Sequence, residues 1–405
     1  MDPAERALFN AAFSEARYAR YHEDLVARTG GREIGFRLAE TPVFLPPELR
    51  ERCVRTADEI VAQLVRPEAI ATMRAAIPGT HHVPAETPLP SFGIIDFALV
   101  EEADGSLGPR LIEIQGFPSL VAFEIVQSEA WARELERMPG LSGDWSPFFG
   151  GRSREQALAL VRSTIVGAHD PAHVVLVDID PPAQKTSCDF RATKTLFGVD
   201  AVCPTRLIKR GRRLFRRGED GRELPVERIY WRIVIDELEK KGIELPFDLR
   251  DDLDVEWTPH PNWFFIWSKY SLPYLDHPAV PRTRLLSSVA ALPADLTERY
   301  VLKPLFSFAG GGVNIAPTPA DVAAIPPGLR EAWCLQEKIA YAPALRAVDG
   351  GGVKVELRMM YLRPDDAREL VPVLNLCRLS RGAMIGVDFN KDMTWVGSSV
   401  AIWRS

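Results

Sequence analysis

The spacing of apolar and polar residues changes along the chain. Up to about residue 80 the apolar residues recur at helical intervals, as in residues 8–16, and Pro46-Pro47 opens a second helical segment. From residue 91 the apolar residues come in shorter runs typical of strands, at 94–100 and 111–115. The pattern predicts N-terminal helices, then a β-hairpin, then a helix near residues 119–138.

A stretch rich in Gly, Pro and Ser at residues 139–152 marks a boundary in this pattern. Beyond it, predicted helices at 153–167 and 183–197 flank the apolar run 174–177. Strands that alternate with helices at this spacing predict a small three-layer unit with a parallel sheet. From about residue 261 the pattern predicts mostly strands and turns. The predicted fold class is therefore α+β, with α/β character in the middle of the chain.

Composition narrows the classes of protein that fit. The chain has 405 residues, 46% hydrophobic and 26% charged, which is typical of a folded globular protein. With 49 Lys+Arg against 55 Asp+Glu, the net charge of −6 argues against bulk electrostatic binding of nucleic acid or anionic membrane. The sequence has no run of about 18 apolar residues, so we expect no membrane span.

Cysteine usage bears on the compartment. The five cysteines lie far apart and form no C-x-x-C pair, which favours reduced thiols. The first residues lack the basic-then-apolar pattern of a signal peptide. Together these features predict a cytoplasmic protein, and they leave the oligomeric state open.

The predicted hairpin carries a candidate metal site. Alternate side chains of a strand share a face, so Glu113 and Gln115 point the same way, and Asp96 on the partner strand can join them. Carboxylate and amide oxygens are hard donors of the kind that Mg²⁺ prefers. The alternative interpretation is a solvated strand face with incidental acids.

A second candidate site combines a lysine with a glycine-rich loop. The predicted strand that contains Lys303 is followed by Ser307 and by Gly310, Gly311 and Gly312, and then by a second predicted strand. Glycines let successive backbone N–H groups approach an anion, and the lysine adds positive charge. The pattern is not a Walker A loop, because no G-K-[ST] closes it. A simple glycine-rich hairpin turn is the alternative.

Three further segments hold charged or amide side chains. On the predicted strand around residue 356, Lys354, Glu356 and Arg358 share a face that either lines a nucleotide cleft or is solvated. Lys269 follows an aromatic run and is a candidate phosphate contact or a surface lysine. The segment that ends in Gln336, Glu337 and Lys338 predicts a strand leading into a loop, where an adenine edge could be bound.

A basic run over residues 209–217 raises the question of nucleic-acid binding. Acidic residues follow it at once, from Glu219 to Glu227, and stacking aromatic residues are nearly absent. We therefore favour a solvated hairpin.

Taken in order, these segments resemble the ATP-grasp superfamily, in the circularly permuted form of the glutathionylspermidine synthase synthetase domain. The hairpin with Asp96, Glu113 and Gln115 is similar to the family's magnesium-binding hairpin. Residues 267–273 are similar to its Asn-Lys-x-x-Leu-Pro stretch, and residues 300–313 to its second lysine and glycine loop.

The resemblance also implies roles for other residues. Gln336 falls where the family reads adenine, Arg358 lies in the charged strand that follows, and Arg232 is similar to a strand-end arginine near the substrate carboxylate. Two positions depart from the family pattern: Gln115 stands where Asn is expected, and Ile94 where an arginine is common. The resemblance covers roughly residues 90–400 and does not extend to the amidase domain of some relatives.

The implied protein is an ATP- and Mg²⁺-dependent ligase that joins a small-molecule or peptide carboxylate to an amine through an acylphosphate. A non-catalytic ATP-binding scaffold and a kinase on the same fold are the alternatives. The expected domains are an N-terminal helical region (1–90), the metal-binding hairpin and helix of the ATP-grasp domain (91–145), a pre-ATP-grasp-like α/β domain (150–260) and the ATP-grasp nucleotide-binding region (261–405).

Overall fold

The computed structural model describes residues 1–307, 311–385, 390 and 392–405, apart from the side chains of Asp236 and Glu239. Its helices are α1 (Pro3–Ala12), α2 (Glu15–Arg28), α3 (Pro47–Leu64), α4 (Pro67–Met73), α5 (Val121–Leu135), α6 (Arg154–Val166), α7 (Ser187–Phe197), α8 (Ile235–Lys241), α9 (Trp263–Ile266), α10 (Leu296–Arg299) and α11 (Pro319–Ala323). Its first strands are β1 (Val43–Phe44), β2 (Phe92–Glu101), β3 (Leu107–Gln115), β4 (Trp145–Ser146), β5 (Val174–Val177), β6 (Asp200–Val202), β7 (Ile208–Arg210), β8 (Arg213–Arg217), β9 (Glu223–Val226) and β10 (Arg228–Trp231). The remaining strands are β11 (Glu256–Thr258), β12 (Thr283–Leu285), β13 (Tyr300–Pro304), β14 (Trp333–Glu337), β15 (Leu345–Arg346), β16 (Gly352–Leu362), β17 (Val371–Ser380), β18 (Gly397–Ser399) and β19 (Ala401–Arg404).

The N-terminal region is helical, as its apolar pattern predicted. Asp2 caps α1, since its carboxylate accepts hydrogen bonds from the first free N–H groups of the helix. The run 8–16 is divided between two helices, because the backbone is extended at Phe13 and Ser14 caps α2. Helix α3 begins at Pro47, where proline's fixed φ and missing N–H suit a first turn.

The central sheet has the order β18-β17-β16-β2-β3, with β15 also paired to β16. The β2–β3 hairpin that the sequence predicted is present, and α5 follows it. Strand β2 also pairs antiparallel with β16, which comes some 250 residues later, so that Asp96 lies opposite Arg358. The hairpin is thus built into a sheet whose other strands come from the C-terminal third of the chain.

The middle of the chain forms the predicted parallel sheet, with the order β11-β10-β5-β6. Strand β5 is entirely buried, which explains its continuous apolar sequence. The chain runs from β5 through α7 to β6 on one side, and β10 pairs on the other side of β5. Ligands of open α/β sheets bind at the carboxyl ends of strands at such a reversal.

Three smaller sheets complete the described fold: β12-β14-β13, β7-β8-β9 and β1-β19-β4. The first has its own apolar cluster, which includes Leu302 and Leu335. The second strand predicted after the glycine loop is reduced to one bridge between Leu302 and Asn314, on the edge of β13 that faces away from β14. In the described part of the chain, every helix is too short or too polar to cross a bilayer.

The basic run 209–217 forms the β7–β8 hairpin, as favoured above. Several of its cations are paired with nearby acids: Lys209 with Asp251, Arg210 with Glu223, Arg212 with Asp252 and Asp254, and Arg216 with Asp200. Its charge is therefore largely balanced within the protein, and a nucleic-acid surface is not supported.

Candidate functional site

The pairing of the central strands places charged side chains on one face of the sheet. Glu113 of β3, Asp96 of β2 and Arg358 of β16 are cross-strand neighbours in one row. Two residues along, Glu356 of β16 lies opposite Arg378 of β17. Directly opposed residues share a face and repeat every second residue, so the two rows form one charged surface.

Asp96 is fully buried at the centre of this surface. Arg358 donates to both of its oxygens, from Nε to Oδ1 at 2.7 Å and from Nη2 to Oδ2 at 2.6 Å. Arg378 donates to Oδ2 at 2.7 Å. The predicted metal ligand thus accepts three hydrogen bonds from two guanidinium groups, a role that sequence patterns did not indicate.

Glu356 is buried beside this triad. It forms an ion pair with Arg378 and accepts a hydrogen bond of 2.7 Å from the Tyr341 hydroxyl. Burial raises the pKa of Glu356 and the charge of Asp96 adds to the rise, although Arg378 opposes it. The burial of Glu356 and Arg358 rules out the solvated outer face that was the alternative for this strand.

A β-bulge turns the hairpin toward the neighbouring sheet. The register shifts between Asp96 and Phe97, which leaves Ile112 of β3 without a partner on β2. The carbonyl oxygen of Ile112 accepts from Lys303 Nζ and from Gln336 Nε2, both at 3.5 Å. The bulge therefore joins the charged face of the central sheet to β13 and β14.

Two lysines from separate elements meet the hairpin at this point. Lys269 Nζ lies 3.4 Å from Glu113 Oε2 and donates a 2.9 Å hydrogen bond to the carbonyl of Ser307. Lys303 is buried and donates to Gln336 Oε1. The predicted residues Glu113, Lys269, Lys303, Ser307 and Gln336 are thus brought together, and Lys269 is buried rather than on the surface.

Close packing holds Lys269 beside the hairpin. The Gly116 N–H donates to the Trp267 carbonyl at 2.8 Å. A Cβ at Gly116 would lie 2.3 Å from the Trp263 carbonyl oxygen, so this approach requires glycine. Lys269 follows two residues after Trp267, at the start of a 3₁₀ turn that the Ser268 side chain caps.

The charges at the site are mutually dependent. Burial alone would raise the pKa of Glu113, but neighbouring cations lower it to about 2. These cations are, in order of effect, Lys269, Arg378, Lys303 and Arg358. Burial lowers the pKa of Lys303, and Glu113 partly offsets this.

The hairpin oxygens suit a divalent cation in part. Gln115 donates its amide to Glu113 Oε1, while its own Oε1 is buried without a hydrogen-bond partner. This unpartnered oxygen and the ionised Glu113 carboxylate are two adjacent hard donors. Magnesium is often bound by one or two protein oxygens, with phosphates and waters as its other ligands. Within the described ranges no three Asp, Glu, His or Cys side chains are arranged to hold a metal unaided.

A small cavity of about 20 Å³ opens beside Lys269 and Gln115. It is lined by Ile114, Gln115, Phe117, Phe264, Trp267, Ser268, Lys269, Leu305, Phe306 and Ser307. This volume holds roughly one water molecule, whereas ligand sites usually measure some 300–1,000 Å³. A ligand larger than a water molecule does not fit between these described walls.

Other predicted residues lie away from this cluster. Glu337 is 3.7 Å from Arg299, and Lys338 Nζ donates to the Thr297 carbonyl at 2.5 Å, both at the outer end of β14. Gly311 and Gly312 are exposed, and Gly312 has a φ of +72°. Gly310 lies outside the described residues.

Arg232 also has partners other than the hairpin acids. It donates to Asp189 at 2.6 Å, and its guanidinium carbon lies 5.9 Å from the centre of the Phe117 ring. Burial lowers the pKa of Arg232, but Tyr230 and Asp189 more than offset this and hold it above its ordinary value. Asp189 is fully buried and also accepts from the first N–H groups of α5, those of residues 122 and 123. Arg232 thus joins the parallel sheet to the start of α5.

Sequence reasoning missed Arg378, which completes the charged face. Among the described side chains of this face, three acids (Asp96, Glu113 and Glu356) accompany four cations (Lys269, Lys303, Arg358 and Arg378). A further buried acid, Glu124 of α5, also interacts with Arg358, but burial raises its pKa well above its ordinary value and so favours its uncharged form. The excess of positive charge among these largely buried side chains suits an anion.

Comparison with solved structures finds a similar fold in a glutathione synthetase-like effector from Globodera pallida, in its apo form. The two chains are 11% identical with a TM-score of 0.56, over 90% of this chain and 94% of the other. At this identity the likeness concerns the fold alone. Neither a family model nor a curated protein matches the chain.

Proposed function

We propose that the chain is an ATP- and Mg²⁺-dependent carboxylate–amine ligase with a circularly permuted ATP-grasp fold. The observation that carries this proposal is the convergence of Lys269 and Lys303, from two separate elements, on the Glu113–Gln115 end of the hairpin. The fold shared with a glutathione synthetase-like protein supports it. The hairpin also precedes both lysines in the chain, as the resemblance to the permuted family implies.

The triphosphate lies between the central sheet and the β12-β14-β13 sheet in this proposal. Lys269 and Lys303 exchange their present contacts, with the Ser307 carbonyl and the Gln336 amide, for phosphate oxygens. Magnesium, held by Glu113 and Gln115, would neutralise phosphate charge. Phosphoryl transfer needs positioning and charge neutralisation more than covalent participation by the protein.

The acid substrate supplies a carboxylate that takes the γ-phosphoryl group, with ADP as leaving group. The resulting acylphosphate then reacts with an amine, and phosphate leaves as the amide forms. Arg358 is suited to hold the carboxylate or the acylphosphate, because its planar fork matches either group. Arg232 is assigned to fixing α5 through Asp189 rather than to the substrate.

The test is ADP release by the full chain with ATP, over a panel of carboxylic acids and amines. The proposal predicts release that requires Mg²⁺, an acid and an amine together. ADP formed without any need for the amine, with a stable phosphorylated product, would indicate the kinase instead.

A non-catalytic nucleotide-binding scaffold is the second candidate. Asp96 is occupied by two arginines, and the cavity of about 20 Å³ is nearly closed, which favours this alternative. It predicts that ATP and Mg²⁺ raise the melting temperature while no ADP forms with any acid and amine.

A further inference from the structure

Two guanidinium groups meet at one oxygen atom in the centre of the site. Arg358 and Arg378 both donate from Nη2 to Asp96 Oδ2, at 2.6 and 2.7 Å. Like charges this close repel each other unless negative charge lies between them. Asp96 supplies part of that charge and fixes where both forks point.

Arg378 retains unused capacity as a donor. Its Nη2 serves Asp96 and Glu356, while its Nε is buried without a hydrogen-bond partner. A buried donor without a partner is costly, so an acceptor that reached this Nε would be stabilised. The Arg378 side chain is 28% exposed against 6% for Arg358, so Arg378 is the more accessible of the two.

The face around the pair carries more cations than acids, as described above. An anion with several oxygens that bound both forks would satisfy the Arg378 Nε and offset the excess charge. Bidentate recognition of phosphate and carboxylate is the chemistry in which arginine exceeds lysine.

We propose that Arg358 and Arg378 form a seat for a phosphate-like anion, and that Asp96 is the positioning residue that holds both arginines rather than a magnesium ligand. The identity of the anion, the transferred phosphoryl group of the acylphosphate, rests on the proposed function. The seat itself does not.

The seat is tested with inorganic phosphate and pyrophosphate, titrated into the full chain without metal and followed by calorimetry. We expect Arg378→Lys and Arg378→Gln to weaken binding at least about tenfold, because one point charge, or none, replaces the fork. Arg378→Lys keeps the charge beside Asp96 and Glu356 and so guards against misfolding of the Gln variant. The control is Arg210→Gln, because Arg210 pairs with Glu223 in the β7-β8-β9 sheet, outside the charged face. Equal binding by wild type and Arg378→Lys would overturn the proposal.

The role of Asp96 is tested by titrating Mg²⁺ into the full chain at a fixed ATP concentration. The midpoint is the Mg²⁺ concentration at which half of the response is reached. We expect Asp96→Asn to weaken phosphate binding while leaving the Mg²⁺ midpoint unchanged. Glu113→Gln should leave phosphate binding unchanged and raise the Mg²⁺ midpoint at least about tenfold. If Asp96→Asn raises the midpoint as Glu113→Gln does, Asp96 is a metal ligand and the assignment is wrong.

The same samples separate this inference from the proposed function. Phosphate binding that depends on Arg378, with no ADP formed by the wild type, would refute the ligase and leave the seat standing. If ADP forms but phosphate affinity is the same in the wild type and in the Arg378 variants, the seat is refuted and the ligase proposal is retained.

Discussion

Lys303 is the residue whose surroundings reveal most about the site. It is buried beneath the bulge, with Gln336 and the Ile112 carbonyl as hydrogen-bond partners. Removing an ammonium group from water costs several kcal/mol unless negative charge compensates. Glu113 compensates in part, and we infer that a bound phosphate does the rest.

Lys303→Met should therefore lower ADP formation at least about a hundredfold, or roughly 2.7 kcal/mol in the activation barrier. The melting temperature should change little, because the variant also removes a buried charge. Lys338→Met is the control, since that lysine lies at the outer end of β14 and should leave turnover unchanged. Wild-type turnover by Lys303→Met would show that the lysine does not contact the nucleotide.

Asp178 provides a pH-dependent contribution to stability. It follows β5, and burial raises its pKa to about 7 even though Arg232 opposes the rise. Because the folded pKa is above the ordinary 3.8, its stabilising contribution is complete below pH 3.8 and is lost as the pH rises through 7.

The free energy of unfolding of the wild type should therefore fall with rising pH more than that of Asp178→Asn. The difference should approach about 4 kcal/mol between pH 4 and pH 8, since each pKa unit corresponds to about 1.4 kcal/mol. Urea denaturation at several pH values measures it. Identical pH profiles for the two proteins would contradict the assignment.

The candidate residues that sequence could nominate are those that alternate within a single strand or lie beside a recognisable turn. Glu113, Gln115 and Lys303 are of this kind. Arg378 is not, because its place beside Glu356 depends on the register between β16 and β17, which no local pattern encodes.

At the scale of elements, the start of α5 is attached to the parallel sheet by one buried ion pair. Asp189 accepts from Arg232 and from two N–H groups of the helix. A carboxylate suits a helix N-terminus, where the dipole is positive. The resemblance implies a substrate role for Arg232, since it is similar to a strand-end arginine of that family. Sequence alone does not reveal that Asp189 of α7 pairs with it.

Asp189→Asn should lower the free energy of unfolding by about 3–5 kcal/mol, because it removes the carboxylate that is hydrogen-bonded to the buried Arg232 guanidinium. Asp24→Asn, which removes a partly exposed partner of Arg133, should cost about 1 kcal/mol or less. Denaturant unfolding of both variants measures the difference. Equal losses would show that the Arg232 pair is no stronger than a surface pair.

The elements themselves follow from local patterns more readily than their pairing does. The hairpin, α3 and the parallel sheet were predicted, because each has its own period and end signals. The bulge at Ile112 was not, since it depends on how β3 meets β2. The strand expected after the glycine loop was not found, since in the described part of that segment only Asn314 bridges to the outer edge of β13.

At the scale of the molecule, the site exists because distant segments share sheets. The hairpin joins β16 from the C-terminal third, and β1 pairs with β19 near the other end of the chain. A similar fold occurs in a chain with 11% identity, so the fold does not depend on one particular sequence. The order of the motifs along the chain could suggest the fold. The nearly closed cavity and the two arginines that bind Asp96 are visible only in the three-dimensional structure.

The central claim is that Glu113, Lys269 and Lys303 bind a magnesium-bound triphosphate. Its most direct test is calorimetric titration of ATP into the full chain, with excess Mg²⁺ and with a chelator. The account predicts binding with Mg²⁺ that weakens at least about tenfold in the chelator and in Glu113→Gln and Lys303→Met. Absence of ATP binding under both conditions, or equal affinity in all three proteins, would contradict it.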